Sequence, residues 1–177
     1  MKTIIVAGIA RSGLTATMQM LNAGGYPCVG EYPAFEAYQI GQVPVGILKG
    51  KAFKCVDTHL HFPNPGDYHV IRLRRNLKQQ AKSSLKFLRM LGQPVDRRAV
   101  KQFEKSFPQD YRKIDSWAKR QKGVLEIDFE NIILDPVEVA KRIAEFTGES
   151  LDIDKMASVI IKRGPECYDG MLELEMI

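Results

Sequence analysis

Thr3-Ile4-Ile5-Val6-Ala7-Gly8-Ile9-Ala10-Arg11-Ser12-Gly13-Leu14-Thr15 sets a continuous apolar run directly before a glycine loop and a helical pattern. Parallel strands buried on both faces read as such runs. A phosphate-cradling loop reads G-x-x-x-x-G-K-[S/T], with its lysine reaching the terminal phosphates. Gly8, Gly13 and Thr15 stand where that pattern wants them, but Leu14 holds the lysine position and Arg11 stands inside the loop. Backbone amides of residues 10–14 are expected to converge at the helix N-terminus, where the helix dipole adds positive potential. Ser12 and Thr15 add hydroxyls, and Arg11 adds a planar fork of donors suited to phosphate or sulfate. The glycine spacing alone equally describes an ordinary strand-to-helix turn.

Outward from this loop, short apolar runs alternate with helical stretches, the pattern of a sheet covered by helices. Leu14, Met18 and Leu21 share one face of the first helix, which Ala23-Gly24-Gly25 stops. "PCVG" (27–30), "AFKCVD" (52–57), "YHVIRLR" (68–74) and "VLEIDF" (124–129) read as further strands. The connection from Glu31 to Gly50 has little periodicity, two prolines and room for one helical turn; loops of this length are usually functional or disordered. Asn76 is placed to cap a helix beginning at Leu77, and a helical region from Arg97 is expected to break at Pro108. Asp135-Pro136 opens a last helix, with Gly148 at its end. The reading is a single α/β domain over residues 1–177, three layers deep.

Bulk properties narrow the function classes. Hydrophobic content of 45% and charged content of 27% suit a globular protein, and no apolar run approaches a membrane span. Cys28, Cys55 and Cys167 are widely spaced and form no metal-binding or paired pattern, so they read as reduced thiols and the chain as cytoplasmic. The net charge of +5 conceals an asymmetry: Arg72 to Lys122 holds sixteen Lys/Arg against four Asp/Glu. A basic middle fits an anionic partner, though solvated helix faces produce the same count.

A second anion-binding element follows the strand at 68–74. Arg75 lies at its carboxyl end, where ligands of open α/β sheets bind, and Ser83 follows eight residues later on the next helix. In these two elements the sequence resembles the sulfotransferase family, which uses 3′-phosphoadenosine 5′-phosphosulfate (PAPS) as donor and releases 3′-phosphoadenosine 5′-phosphate (PAP). "ARSGLT" is similar to the family's P-[K/R]-S-G-[T/S]-T loop, and Arg75, Asn76 and Ser83 reproduce its R-[N/D]-x₆-S element. "VLEIDFENIILDP" resembles the V-L-x-[V/L]-x-[Y/F]-E-D-x-x-x-D-P segment, so the three blocks span nearly the whole chain in the family's order. Ala10 replaces the usual proline, Leu14 a hydroxyl residue, and Ala16 an aromatic found in many members.

The resemblance implies a P-loop-type fold with a central, mostly parallel sheet. It further implies that Arg11, Ser12, Gly13, Leu14 and Thr15 hold the 5′-phosphosulfate, and Arg75 and Ser83 the 3′-phosphate. Phe129 would stack on adenine, and Lys162, Arg163 and Gly164 would correspond to an R-K-G element completing the 3′-phosphate site. Arg11 would also offset charge on the departing phosphate. Sulfuryl transfer needs a base for the acceptor hydroxyl or amine. "CVDTHLHF" resembles the family's K-T-H-L-P segment and places His59 in that role, with His61 close by and Glu31 and Glu36 as carboxylate rivals. The expected acceptor is a small molecule or saccharide, with no metal, nucleic acid or membrane involved, and the protein a monomer or homodimer. A small-molecule kinase using ATP, with Asp57 or Asp128 toward the metal, and a non-catalytic nucleotide- or nucleic-acid-binding protein remain the alternative classes.

Overall fold

The computed structural model describes residues 1–36, 45–161 and 163–167. In chain order its elements are β1 (Ile4–Gly8), α1 (Leu14–Ala23), α2 (Val45–Leu48), β2 (Ala52–Val56), β3 (His69–Arg74) and α3 (Leu77–Met90). They continue with α4 (Arg98–Ala118), β4 (Gly123–Asp128), α5 (Phe129–Leu134), α6 (Pro136–Thr147) and α7 (Ile153–Ser158). The four strands form one sheet in the order β2-β1-β3-β4, and every pairing is parallel. Ile4 stands opposite Ala52 on one side and His69 on the other, so β1 is central and its loop leaves between two neighbours.

Alternation along the strands divides the core into two layers. Ile4 and Val6 of β1, with Ile71 and Leu73 of β3, pack against Met18 and Leu21 of α1, Ile143 of α6 and Met156 of α7. Ile5, Ala7 and Val70 face the other way, onto Ala81 of α3 and Phe107, Tyr111, Ile114 and Trp117 of α4. β1 is buried at all five positions, as its unbroken apolar run requires.

Local signals place most boundaries. Asn76 caps α3 by accepting from the Gln79 amide at 3.2 Å, and Asp135 caps α6 by accepting from Glu138 at 3.2 Å, with Pro136 at the first helical position. Three expectations are corrected. Pro108 does not break the helical region: α4 runs through it for 21 residues. A proline there removes one donor, and the helix is held across it by burial of Phe107, Tyr111, Ile114 and Trp117 against the sheet. "PCVG" contributes a single bridge, Cys28 to Ala52, rather than a strand. The strand "VLEIDF" ends at Asp128, because Phe129 starts α5.

Candidate functional site

The loop between β1 and α1 is shaped by two left-handed residues, Arg11 (φ 68°) and Gly13 (φ 98°). Gly13 is also required by space, since a Cβ there would lie 2.9 Å from Phe129 Cδ2. Not every amide of the loop faces outward as the sequence suggested. Ala10 N–H donates to Asp57 Oδ1 at 2.8 Å, and Ser12 N–H donates to the Ile9 carbonyl at 3.3 Å. Gly8 N–H donates to Thr58 Oγ1 at 3.1 Å, which with the Asp57 bond fastens the loop to the end of β2. The first intrahelical bond of α1 runs from Thr17 N to Gly13 O, so the amides of Leu14, Thr15 and Ala16 have no carbonyl partner within the helix. Ser12 Oγ, completely buried against Gly8, has no hydrogen-bond partner. Orphaned buried donors beside a helix N-terminus are what a bound anion would satisfy.

Arg75 and Ser83 converge on this loop although 64 and 72 residues separate them from Arg11. Arg75 Nη1 donates to the Arg11 carbonyl at 2.9 Å, and Arg11 Nε donates to Ser83 Oγ at 3.2 Å. Arg75 is buried, its Nε has no partner, and its Nη2 reaches the Pro165 carbonyl at 3.3 Å. The guanidinium lies 4.1 Å over the Phe129 ring, with Arg163 over the same ring at 5.7 Å; Arg11 stands 5.1 Å over Phe87. Burial, and then the charge of Arg75, pushes Arg11 down to about 10; burial likewise lowers Arg75. Crowding of cations in a dry site is relieved by an anion between them. Phe129 is buried beneath Arg75 and against Gly13. Gly164 is half-buried beside Arg163, and Lys162 lies outside the described residues.

His59 follows β2 in the turn that also holds Asp57 and Thr58, on the same sheet edge as the loop. Its Nε2 lies 3.8 Å from Asp110 Oδ2 of α4, and its Nδ1 is buried without a partner. His61 is exposed, and its carbonyl accepts from Cys55 Sγ at 3.5 Å. Glu31 is exposed. Glu36 is engaged: its Oε1 accepts from Lys54 Nζ at 2.5 Å. Lys54 also donates to Thr15 Oγ1 at 3.3 Å and to the Ala34 carbonyl. Sequence reasoning missed Lys54; its signal was a lone charge inside the apolar strand "AFKCV". The basic middle of the chain is partly neutralised internally, since buried Arg72 and exposed Arg74 both pair with Asp115. That cluster lines a cavity of about 460 Å³ together with Arg75, Tyr111 and Glu130.

The family model for the sulfotransferase domain matches residues 1–163. Among solved structures, the chain resembles mouse sulfotransferase SULT7A1 complexed with PAP at 19% identity, covering 89% of this chain and 62% of that one, with a TM-score of 0.60. It resembles retinol dehydratase in complex with androsterone and inactive cofactor PAP at 18% identity, over 88% of this chain and 62% of that one, with a TM-score of 0.57. Retinol dehydratase with retinol and PAP gives 15% identity, 90% and 64% coverage, and a TM-score of 0.52. The likeness is one of fold, and the chain spans less than two thirds of the length of these proteins. No curated protein sequence matches.

Proposed function

The chain belongs to the sulfotransferase domain family, and on that premise we propose that it moves a sulfuryl group from PAPS to an acceptor hydroxyl or amine. The observation that carries this reading is the meeting of two anion-binding elements: Arg11 Nε on Ser83 Oγ at 3.2 Å and Arg75 Nη1 on Arg11 O at 2.9 Å. A donor with phosphates on both the 5′ and 3′ positions needs two such elements side by side. The buried orphans Ser12 Oγ and Arg75 Nε fit one anionic group each.

In this reading the α1 amides of Leu14, Thr15 and Ala16, with Ser12, Gly13 and the Thr15 hydroxyl, hold the 5′-phosphosulfate. Arg75 and Ser83 hold the 3′-phosphate, and Arg163 and Gly164 border the same group. In the transfer step the acceptor oxygen or nitrogen bonds to sulfur as the bond from sulfur to the bridging phosphate oxygen breaks. PAP departs with the electron pair, and the acceptor proton passes to His59. Arg11 and the helix amides offset charge growing on the departing phosphate, the kind of preorganised donation that contributes most to such reactions. Asp110 Oδ2 stands 3.8 Å from His59 Nε2, where it orients the ring. Glu36 Oε1 is occupied as an acceptor of Lys54 Nζ, which leaves His59 the better-placed base. The acceptor is a small molecule or saccharide entering beside His59 and Glu31, and three unpaired thiols support a cytoplasmic setting.

Thermal-shift measurements with PAP, AMP and Mg·ATP test the donor. Stabilisation by PAP well beyond AMP, without magnesium, is expected; tighter binding of Mg·ATP would assign a kinase instead. Transfer assays with PAPS against a panel of alcohols, phenols and sugars then identify the acceptor.

A further inference from the structure

Lys54 is a cation where a strand facing the core should carry an apolar residue. It lies opposite Val6 on β1, and only 5% of its surface is exposed. An ammonium has three protons and no lone pair, so every partner of Lys54 must accept. Its three acceptors are Thr15 Oγ1 at 3.3 Å, Glu36 Oε1 at 2.5 Å and the Ala34 carbonyl. The Thr15 hydroxyl has a single proton. With Lys54 donating to one of its lone pairs, that proton is turned away from the ammonium, and no acceptor for it stands among the described residues.

Thr15 occupies the second position of α1, between two amides that also lack helical partners. A hydroxyl there that is already accepting from a cation is a stronger donor toward an anion, because hydrogen bonds in a chain polarise one another. The loop itself carries Leu14 at the position where a lysine would reach terminal phosphates. A buried cation on the neighbouring strand stands behind it instead.

We propose that Lys54 is a positioning residue of the donor site, which acts through the Thr15 hydroxyl on the 5′-phosphate group and not on the 3′-phosphate. Its bonds to Glu36 and Ala34 tie segment 31–36 to the same hydroxyl, so the wall beside the acceptor and the donor loop share one cation. The inference rests on the donor reading above.

The test separates the two phosphates by calorimetric titration of the full-length protein with PAP and with adenosine 3′-monophosphate, which lacks the 5′ group. In the wild type, PAP binds more tightly. Lys54→Met narrows the ratio of the two dissociation constants by about tenfold while leaving 3′-monophosphate binding within about twofold. Thr15→Val narrows the ratio similarly, Thr15→Ser preserves it, and the double variant Lys54→Met/Thr15→Val is no worse than either single change. Should Lys54→Met fail to fold, Lys54→Gln, which keeps a neutral donor, gives a ratio between those of wild type and Thr15→Val. Equal weakening of both ligands, or full additivity with Thr15→Val, would show that Lys54 only clamps segment 31–36 and would overturn the proposal. A wild type with no preference for PAP over either monophosphate would remove the donor reading and this inference together. A wild type that prefers PAP, with a ratio that Lys54→Met does not move, removes this inference alone.

Discussion

Replacing Arg75 by methionine keeps much of the side-chain length and removes its charge and all its donors. The magnitude follows from what each nitrogen does. Nη1 holds the Arg11 carbonyl at 2.9 Å, Nη2 holds the Pro165 carbonyl at 3.3 Å, and Nε is buried with no partner. In the proposed donor site, a 3′-phosphate beside the guanidinium would satisfy Nε and displace the longer bond to Pro165. A unit charge pair at about 4 Å contributes about 4 kcal/mol at an effective dielectric of about 20. Loss of one hydrogen bond to a neutral carbonyl offsets about 1–1.5 kcal/mol of this. The net of about 2–3 kcal/mol corresponds to a drop of about 30–150-fold in PAP affinity.

AMP has no 3′-phosphate, so its affinity should fall by less than about threefold, and the PAP-to-AMP preference should collapse. Without ligand the variant loses two hydrogen bonds and the 4.1 Å contact with Phe129, but it also removes a buried charge set beside Arg11 and Arg163. These effects oppose, and the unfolding free energy is expected to shift by no more than about 1 kcal/mol. Calorimetric titration at constant ionic strength measures both nucleotides, and urea unfolding measures the fold. If PAP and AMP weaken by the same factor, Arg75 supports the loop and does not recognise the 3′-phosphate.

His59→Ala is expected to lower turnover by about 10²–10⁴ and leave PAP affinity nearly intact, with Asp110→Asn less damaging; steady-state rates with an identified acceptor decide this. Gly13→Ala combines a positive φ with a 2.9 Å approach to Phe129, so urea unfolding should show a loss of about 1–3 kcal/mol. Burial, and then the charge of Arg75, pushes Arg11 down to about 10, below its ordinary value. Its charge, and with it PAP affinity, is therefore complete below that value and lost as pH rises through it, whereas the ligand-free fold gains stability between the two values; titrations on either side of pH 10 check the sign. Burial pushes Cys28 and Cys55 up to about 12, so iodoacetamide at neutral pH should modify Cys167 before either, as peptide mapping would show.

Much of the site was legible because it rests on local patterns. The apolar run before Gly8, the glycine at position 13 and the eight-residue spacing from Arg75 to Ser83 each name a strand end or a helix start. Asn76 caps the helix it was expected to cap, and α6 opens at Asp135-Pro136 as expected. Pro108 misled because propensity is a weak force beside four buried side chains of one helix face. The loop amides misled for another reason: the acceptor that takes Ala10 N–H is Asp57, 47 residues away, and nothing local distinguishes an outward amide from an inward one.

Lys54 escaped notice on the same account, and its case shows where a linear reading stops. In "AFKCVD" a charge among apolar residues looks like a strand's solvent face, yet this lysine faces the core between β1 and α1. Its meaning depends on β2 lying beside β1, which brings residue 54 to residue 15, and on segment 31–36 folding back to supply Glu36. Only the assembled sheet sets a cation behind a loop with leucine in the lysine position. The ratio of 3′-monophosphate to PAP affinity in Lys54→Met therefore asks whether that tertiary placement does electrostatically what Leu14 cannot.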